Sequence, residues 1–166
     1  MVLIVLSGLP GVGKTTIARE LARTIAATHL RIDSIEQAIR NEGMPVVAEG
    51  YAVAYAVAED NLRLGRTVIA DSVNPWPLTR GAWRSVADRT GVGALDIEVI
   101  CSDAEEHRRR VDSREADIPG HRVPTWQEVV ERDYRPWDTE RVVVDTACSS
   151  VDAAVREILV VMQSRT

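Results

Sequence analysis

The segment Gly8–Thr15 restricts the possible folds of this 166-residue chain more than any other part of its sequence. It reads G-L-P-G-V-G-K-T and matches the pattern G-x-x-x-x-G-K-[ST] at every defined position. The apolar run Val2–Ser7 before it predicts a buried strand, and the amphipathic segment 15–27 after it predicts a helix. A strand, a glycine-rich loop and a helix N-terminus in this order are typical of a phosphate-binding fold.

The side chains of this loop suit the parts of a nucleoside triphosphate. Lys14 can place its ammonium on the β- and γ-phosphates, and the Thr15 hydroxyl can ligate Mg²⁺. Lys14 is the only lysine beside 19 arginines, which fits a position where a guanidinium does not replace an ammonium. We therefore predict ATP and Mg²⁺ as ligands. The predicted nucleotide contacts are Gly8, Gly11, Val12, Gly13, Lys14, Thr15 and Thr16.

Four further apolar runs predict strands at 29–32, 67–70, 95–101 and 142–144, with amphipathic segments between them. None of these runs alternates strongly, as is typical of a parallel sheet covered by helices on both faces. The length fits a single α/β domain over 1–166. Ligands of such sheets bind at the carboxyl ends of the strands.

The composition of the chain argues against several classes of binding partner. No apolar run approaches 18 residues, so we expect no membrane span. The net charge of −5 makes nucleic acid an unlikely ligand. Cys101 and Cys148 lack the spacing of a metal site or a disulfide framework, and we read them as reduced residues of a cytoplasmic protein.

Two acidic residues stand where predicted strands end. Asp33 follows the second strand and could accept the proton of a hydroxyl that receives a phosphoryl group, or it could cap the next helix. Asp71 follows the third strand and could hold Mg²⁺ through water or contact the substrate. For Asp71 the alternative is again a capping or turn role.

With this loop and these acids, the chain resembles the small P-loop kinases of the AAA_33 and zeta-toxin-like type. That group includes polynucleotide 5′-hydroxyl kinases, chloramphenicol phosphotransferase, gluconate kinase and adenylylsulfate-kinase-like proteins. The resemblance implies a three-layer P-loop NTPase sandwich with strand order 2-3-1-4-5 and an arginine-rich lid at about 108–124. It also implies that Asp33 acts as general base and that the turn at Asp145 lies near the adenine and sugar.

In the resembling kinases an arginine-rich segment closes over ATP, which makes Arg110 and Arg114 the expected catalytic arginines and Arg110 a nucleotide contact. Alternatively, these arginines belong to a solvated helix and pair with its acids. The acceptor is expected between the second strand and the following helices, at Asp33, Arg40, Tyr55, Asp71, Asn74 and Trp76. Core packing is the alternative for the aromatic residues, and Arg80 and Arg84 could meet an anionic acceptor.

The function expected from these features is the transfer of the γ-phosphate of MgATP to a hydroxyl of a small molecule. The alternatives are a polynucleotide 5′-hydroxyl kinase and a nucleotide-binding regulatory protein with little transfer activity. The sequence leaves the acceptor, the choice between ATP and GTP, and the oligomeric state open.

Overall fold

A computed structural model describes residues 1–164. Five strands form one sheet in the order β2-β3-β1-β4-β5, and all of its pairs are parallel. The predicted strand order is therefore confirmed. The strands are β1 (Val2–Ser7), β2 (Thr28–Arg31), β3 (Val68–Asp71), β4 (Gly93–Ile100) and β5 (Val142–Asp145).

Seven helices of the described chain connect and cover these strands. They are α1 (Lys14–Ile25), α2 (Ile32–Asn41), α3 (Glu49–Arg63), α4 (Pro77–Thr90), α5 (Ala104–Asp112), α6 (Trp126–Val130) and α7 (Val151–Ser164). Thr125 and Glu128 form a capping box at the start of α6, and the Ser150 hydroxyl accepts from the Ala153 N–H at the start of α7. Within residues 1–164, every helix is too short or too polar to span a bilayer.

The continuous apolar run of β1 reflects burial on both faces of the sheet. Ile4 and Leu6 pack with α1 and α7, whereas Leu3 and Val5 pack with α3 and α4. All four side chains are fully buried. Since successive strand residues point to opposite faces, a central strand needs apolar residues at every position.

The junction between β2 and α2 differs from the expectation. The helix begins at Ile32, directly after the strand, so Asp33 lies inside its first turn rather than in a preceding loop. The N-cap residue is Arg31, and the capping alternative for Asp33 is wrong. No glycine or proline separates the two elements, and the chain turns within a single residue.

Residues 113–125, between α5 and α6, form no regular helix or strand, and we call them the lid segment. The segment lies within the arginine-rich region 108–124 that was expected to form a lid, apart from its last residue. It follows α5, whose N-terminus is capped by the Asp103 carboxylate through the Glu105 and Glu106 N–H groups.

Candidate active site

A cavity of about 970 Å³ lies at the carboxyl ends of the central strands. The phosphate loop and the first turns of α1 form one wall, and the ends of β2 and β3 with α2 form another. The lid segment lines the same cavity through Arg114, Asp117 and Arg122. One continuous space therefore joins the expected nucleotide site to the expected acceptor site.

Two glycines of the phosphate loop have no room for a side chain. Gly8 has φ +144°, and a Cβ there would lie 2.2 Å from the carbonyl oxygen of Val99. Gly11 has φ +85°, and its Cβ would lie 2.5 Å from Cγ2 of Val111 on α5. Positive φ together with this close packing requires glycine at both positions.

The loop is also fastened to α5 through a histidine. His107 is buried, and its Nε2 lies 2.8 Å from the carbonyl oxygen of Pro10, so this nitrogen carries the proton and donates. The ring meets Trp126 edge-on, with the centroids 5.1 Å apart. His107 thus connects the phosphate loop with α5 and α6, on either side of the lid segment.

Lys14 is the cation at the bottom of the cavity. Its side chain is 8% exposed, and its Nζ donates a 2.8 Å hydrogen bond to the carbonyl oxygen of Leu9. Burial lowers the pKa of Lys14 to about 8, although the charges of Asp71 and Asp33 act in the opposite direction. The ammonium is therefore poorly solvated and ready to be stabilised by phosphate oxygens.

Asp71 is buried at the end of β3, beside the phosphate loop. Burial alone would raise the pKa of its carboxyl group, but hydrogen bonds from His29 and Thr15 and the charge of Lys14 lower it. His29 Nε2 lies 3.4 Å from Asp71 Oδ2. A carboxylate with a lowered pKa next to a threonine hydroxyl provides two hard oxygen donors, which Mg²⁺ prefers.

Magnesium bound with a nucleotide keeps several waters and needs only one or two protein ligands. Within residues 1–164, no cluster of three or more His, Cys, Asp or Glu side chains could hold a metal ion without such help. The donor set therefore fits Mg²⁺ that arrives with a triphosphate.

Asp33 differs from Asp71 in its exposure. Its side chain is 39% exposed and lines the cavity from the first turn of α2. Its charge acts on Lys14, and its Oδ2 lies 4.0 Å from Nη2 of Arg31. A carboxylate in this position is open to a bound acceptor.

The arginines of the cavity fall into two groups. Arg110 donates to the Glu106 carboxylate, to Thr146 Oγ1 at 2.9 Å and to the Thr146 carbonyl oxygen at 3.1 Å. Arg114 and Arg132 form no salt bridge within residues 1–164, and the charge of each helps to lower the pKa of Lys14. These two guanidinium groups therefore remain available for phosphate charge.

The comparisons with known proteins agree with this geometry. The family AAA_33, described as an AAA domain, matches residues 3–132. This chain belongs to the AAA_33 family. A comparison of the AAA_33 chain with curated proteins finds no match.

Solved structures share the fold of this AAA_33 protein. A candidate kinase from Chloroflexus aurantiacus is 23% identical with a TM-score of 0.77, covering 99% of this chain and 97% of that chain. The Mycobacterium tuberculosis APS kinase CysC, in complex with AMPPNP and APS, is 17% identical with a TM-score of 0.73 and coverages of 97% and 96%. A gluconokinase from Sinorhizobium meliloti is 20% identical with a TM-score of 0.65 and coverages of 97% and 91%. The AAA_33 chain therefore has the fold of P-loop kinases.

Three of the expected acceptor residues lie outside the cavity of this AAA_33 protein. Tyr55 packs edge-on against Trp83, with the centroids 4.6 Å apart, and donates to the Thr79 carbonyl oxygen. Trp76 donates through Nε1 to Asp133 Oδ2 at 3.0 Å. Asn74 is fully buried and donates to Ser7 Oγ. These contacts hold loops and helices together, whereas Asp33, Arg40 and Asp71 do line the cavity.

Two other expected contacts also have structural partners. The Asp145 carboxylate accepts from the Ser102 and Ala147 N–H groups and fixes the turn after β5, while the neighbouring Thr146 lines the cavity. Arg80 is 1% exposed and donates to four backbone carbonyl oxygens, so it cannot meet an acceptor.

Sequence reasoning missed several cavity residues of the AAA_33 chain. Arg19 on α1, Arg31 at the end of β2 and Asp117 in the lid segment meet in one ion-pair cluster. Arg132 follows α6 and reaches the surroundings of Lys14. The sequence held a signal only for Asp117, which stands in the arginine-rich region beside Pro119 and Gly120, whereas Arg19 and Arg31 lie far from that region in the chain.

Proposed function

We propose that this protein is an ATP-dependent kinase that transfers the γ-phosphate of MgATP to a hydroxyl group of a small molecule. One observation carries the proposal. A single cavity combines Lys14 and Thr15 of the phosphate loop with the carboxylates of Asp33 and Asp71. The kinase fold of the solved relatives supports the same reading.

The phosphate loop binds the donor. Backbone N–H groups at the start of α1 and the ammonium of Lys14 bind the β- and γ-phosphates. The hydroxyl of Thr15 and the carboxylate of Asp71 would hold Mg²⁺, which would neutralise phosphate charge. Asp71 is already ionised and hydrogen-bonded beside Thr15, so it needs little reorganisation for this role.

Asp33 accepts the proton of the attacking hydroxyl. Of these two cavity carboxylates, Asp71 is buried and hydrogen-bonded to His29 and Thr15. Asp33 is 39% exposed and lines the part of the cavity beside α2, where the acceptor is expected. A positioned base of this kind contributes roughly 10²–10⁴-fold to the rate.

The two groups of arginines act at different places. Arg110 is held by Glu106 and Thr146 and binds the nucleotide on the side of the turn after β5. Arg114 and Arg132 stabilise the charge that spreads over the transferring phosphoryl group, because their guanidinium groups have no carboxylate partner in the described chain.

A cavity of this size, closed on one side by the lid segment, favours a small acceptor over a polynucleotide end. The net charge of −5 points the same way. The solved relatives include an APS kinase and a gluconokinase, both named for small acceptors.

The test is ADP release from MgATP in the presence of pooled hydroxyl compounds. The pools hold sugar acids, nucleosides, adenylylsulfate, aminoglycosides, chloramphenicol and a 5′-hydroxyl oligonucleotide. Release that depends on one small-molecule pool supports the proposal, and release that depends only on the oligonucleotide replaces it with polynucleotide kinase activity. Nucleotide binding with no acceptor-dependent release would favour a regulatory protein.

The Asp33→Asn variant separates transfer from binding. We expect acceptor-dependent turnover to fall at least about 100-fold, while MgADP binding stays within a few-fold of the wild type. Asp60→Asn is the matched control, because Asp60 is exposed on α3 away from the cavity. Full turnover in Asp33→Asn would refute the assignment of the base.

A further inference from the structure

Two arginines of the cavity wall converge on one carboxylate of the lid segment. Arg31 donates to Asp117 Oδ2 at 2.7 Å and to Oδ1 at 2.9 Å, a bidentate arrangement. Arg19 donates to the same Oδ2 at 2.7 Å. Two cations from α1 and β2 therefore meet a single anion that is 86 or more residues away in sequence.

One of the two guanidinium groups, that of Arg31, is buried in the scaffold. The Arg31 side chain is 5% exposed, and its Nε has no hydrogen-bond partner within residues 1–164. A buried guanidinium requires anionic or hydrogen-bonding partners, since an unpaired buried charge is strongly destabilising. Arg19 stands on α1, which the phosphate loop fixes at its N-terminus.

The acidic side of the cluster is less fixed. Asp117 is 39% exposed and lies in the lid segment, which has no regular secondary structure. Asp117 is the only carboxylate within hydrogen-bond distance of the two guanidinium groups in the described chain. Arg31 also lies 4.0 Å from Asp33, the proposed base, so any anion held here is next to the reacting end of the cavity.

We propose that Arg19 and Arg31 form an oxyanion site for the acceptor, which Asp117 occupies in the absence of substrate. The inference rests on the proposed kinase function and narrows its substrate class. The acceptor carries a carboxylate, sulfate or phosphate group within a few bonds of the hydroxyl that is phosphorylated. That group takes the place of the Asp117 carboxylate on the Arg31 fork, and its hydroxyl then faces Asp33.

A binding experiment tests the site without relying on turnover. Sodium sulfate is titrated calorimetrically into protein whose phosphate loop is saturated with MgAMP-PNP, with sodium chloride at equal ionic strength as the reference. Asp117→Asn removes the competing charge, and we expect sulfate to bind at least about tenfold more tightly, the effect of one charge-assisted hydrogen bond. Arg31→Gln and Arg19→Gln should each weaken sulfate binding by about tenfold or more.

Arg23→Gln serves as the matched control, because Arg23 is on the same helix, 74% exposed, and pairs only with Glu20 in the described chain. Arg19→Gln keeps the test valid if loss of the buried Arg31 impairs folding. Unchanged or weaker sulfate binding in Asp117→Asn would overturn the proposal and make the ion pairs a permanent lid anchor.

Matched acceptors then distinguish the sources of the oxyanion. The pairs are D-gluconate with D-glucitol for a carboxylate, and adenylylsulfate with adenosine for an anionic phosphate–sulfate group. We expect the anionic compound of at least one pair to be phosphorylated at least about tenfold faster than its neutral analogue. Equal rates for an anionic acceptor and its neutral analogue would refute the oxyanion site but not the kinase function. Sulfate binding without phosphoryl transfer to any pool would support the oxyanion site and refute the kinase function.

Discussion

Nucleotide binding should take up a proton at Lys14 in mildly alkaline solution. Burial lowers the pKa of this ammonium to about 8 in the free protein. At pH 8 about half of the molecules, and at pH 9 about nine-tenths, therefore carry a neutral Lys14. Bound phosphates favour the charged form and raise the pKa again, because opposite charges within a few ångströms stabilise ionisation.

The expected magnitudes follow from this difference. MgADP binding should take up about 0.5 proton at pH 8 and about 0.9 proton at pH 9. Its Kd should rise about tenfold for each pH unit above 8, until the pKa of the complex is reached. The number of protons is measured by calorimetry at one pH in two buffers that differ in ionisation enthalpy.

Lys14→Met is the reference for groups other than the lysine. Its binding should be weak and nearly independent of pH between 7.5 and 9.5. If the wild type takes up no proton at pH 9 beyond that of Lys14→Met, then Lys14 stays charged in the free protein. Burial would then not lower the pKa of Lys14 into this range.

Three further expectations concern single sites. Lys14→Met should raise the free energy of unfolding at pH 7 by up to about 3 kcal/mol in urea titrations, because a folded-state pKa of about 8 against 10.5 makes the buried ammonium costly. The wild type should accordingly gain stability between pH 8 and 10.5, where its unfolded state binds more protons than the folded state, and a flat profile would contradict this. Arg80→Ala should lower the free energy of unfolding by at least about 3 kcal/mol, since it removes a buried side chain and leaves the carbonyl oxygens of the buried Asn74 and Pro75 without their donor, whereas Arg66→Ala, at an exposed position, should change it by less than about 0.5 kcal/mol. Arg114→Gln and Arg132→Gln should each reduce kcat about 10-fold or more with little change in MgADP affinity, and unchanged kcat in the double variant would remove these arginines from the transfer step.

The sheet and the phosphate loop were predictable because their determinants are local. Val2–Leu6 is apolar at every position because both faces of β1 are covered, and this pattern is visible in the chain itself. Backbone angles and close packing require glycine at Gly8 and Gly11. The loop therefore has a fixed spacing of glycines that can be recognised in the sequence. Such features survive in a single sequence without knowledge of tertiary contacts.

The aromatic residues show where local patterns are ambiguous. Tyr55 lies on the helix α3. The local sequence is equally compatible with a ring that lines the substrate site and with a ring that packs against another helix. The structure places Tyr55 against Trp83 of α4, with the two ring planes nearly perpendicular at 80°. Only the crossing of two helices decides between these readings, and that crossing is a tertiary property.

The roles of the arginines follow from which donors each guanidinium has already used, a property that no short pattern contains. Arg80 donates from Nε, Nη1 and Nη2 to carbonyl oxygens, two of them 55 and 56 residues away, and so has no capacity left for a ligand. Arg31 is nearly as buried, but both of its Nη atoms donate to one lid carboxylate and its Nε is unpaired in the described chain. Because a buried cation must keep an anionic or carbonyl partner, Arg80 can only be structural, whereas Arg31 can exchange its partner for a substrate. The same charge therefore stabilises the fold at one position and selects a ligand at another.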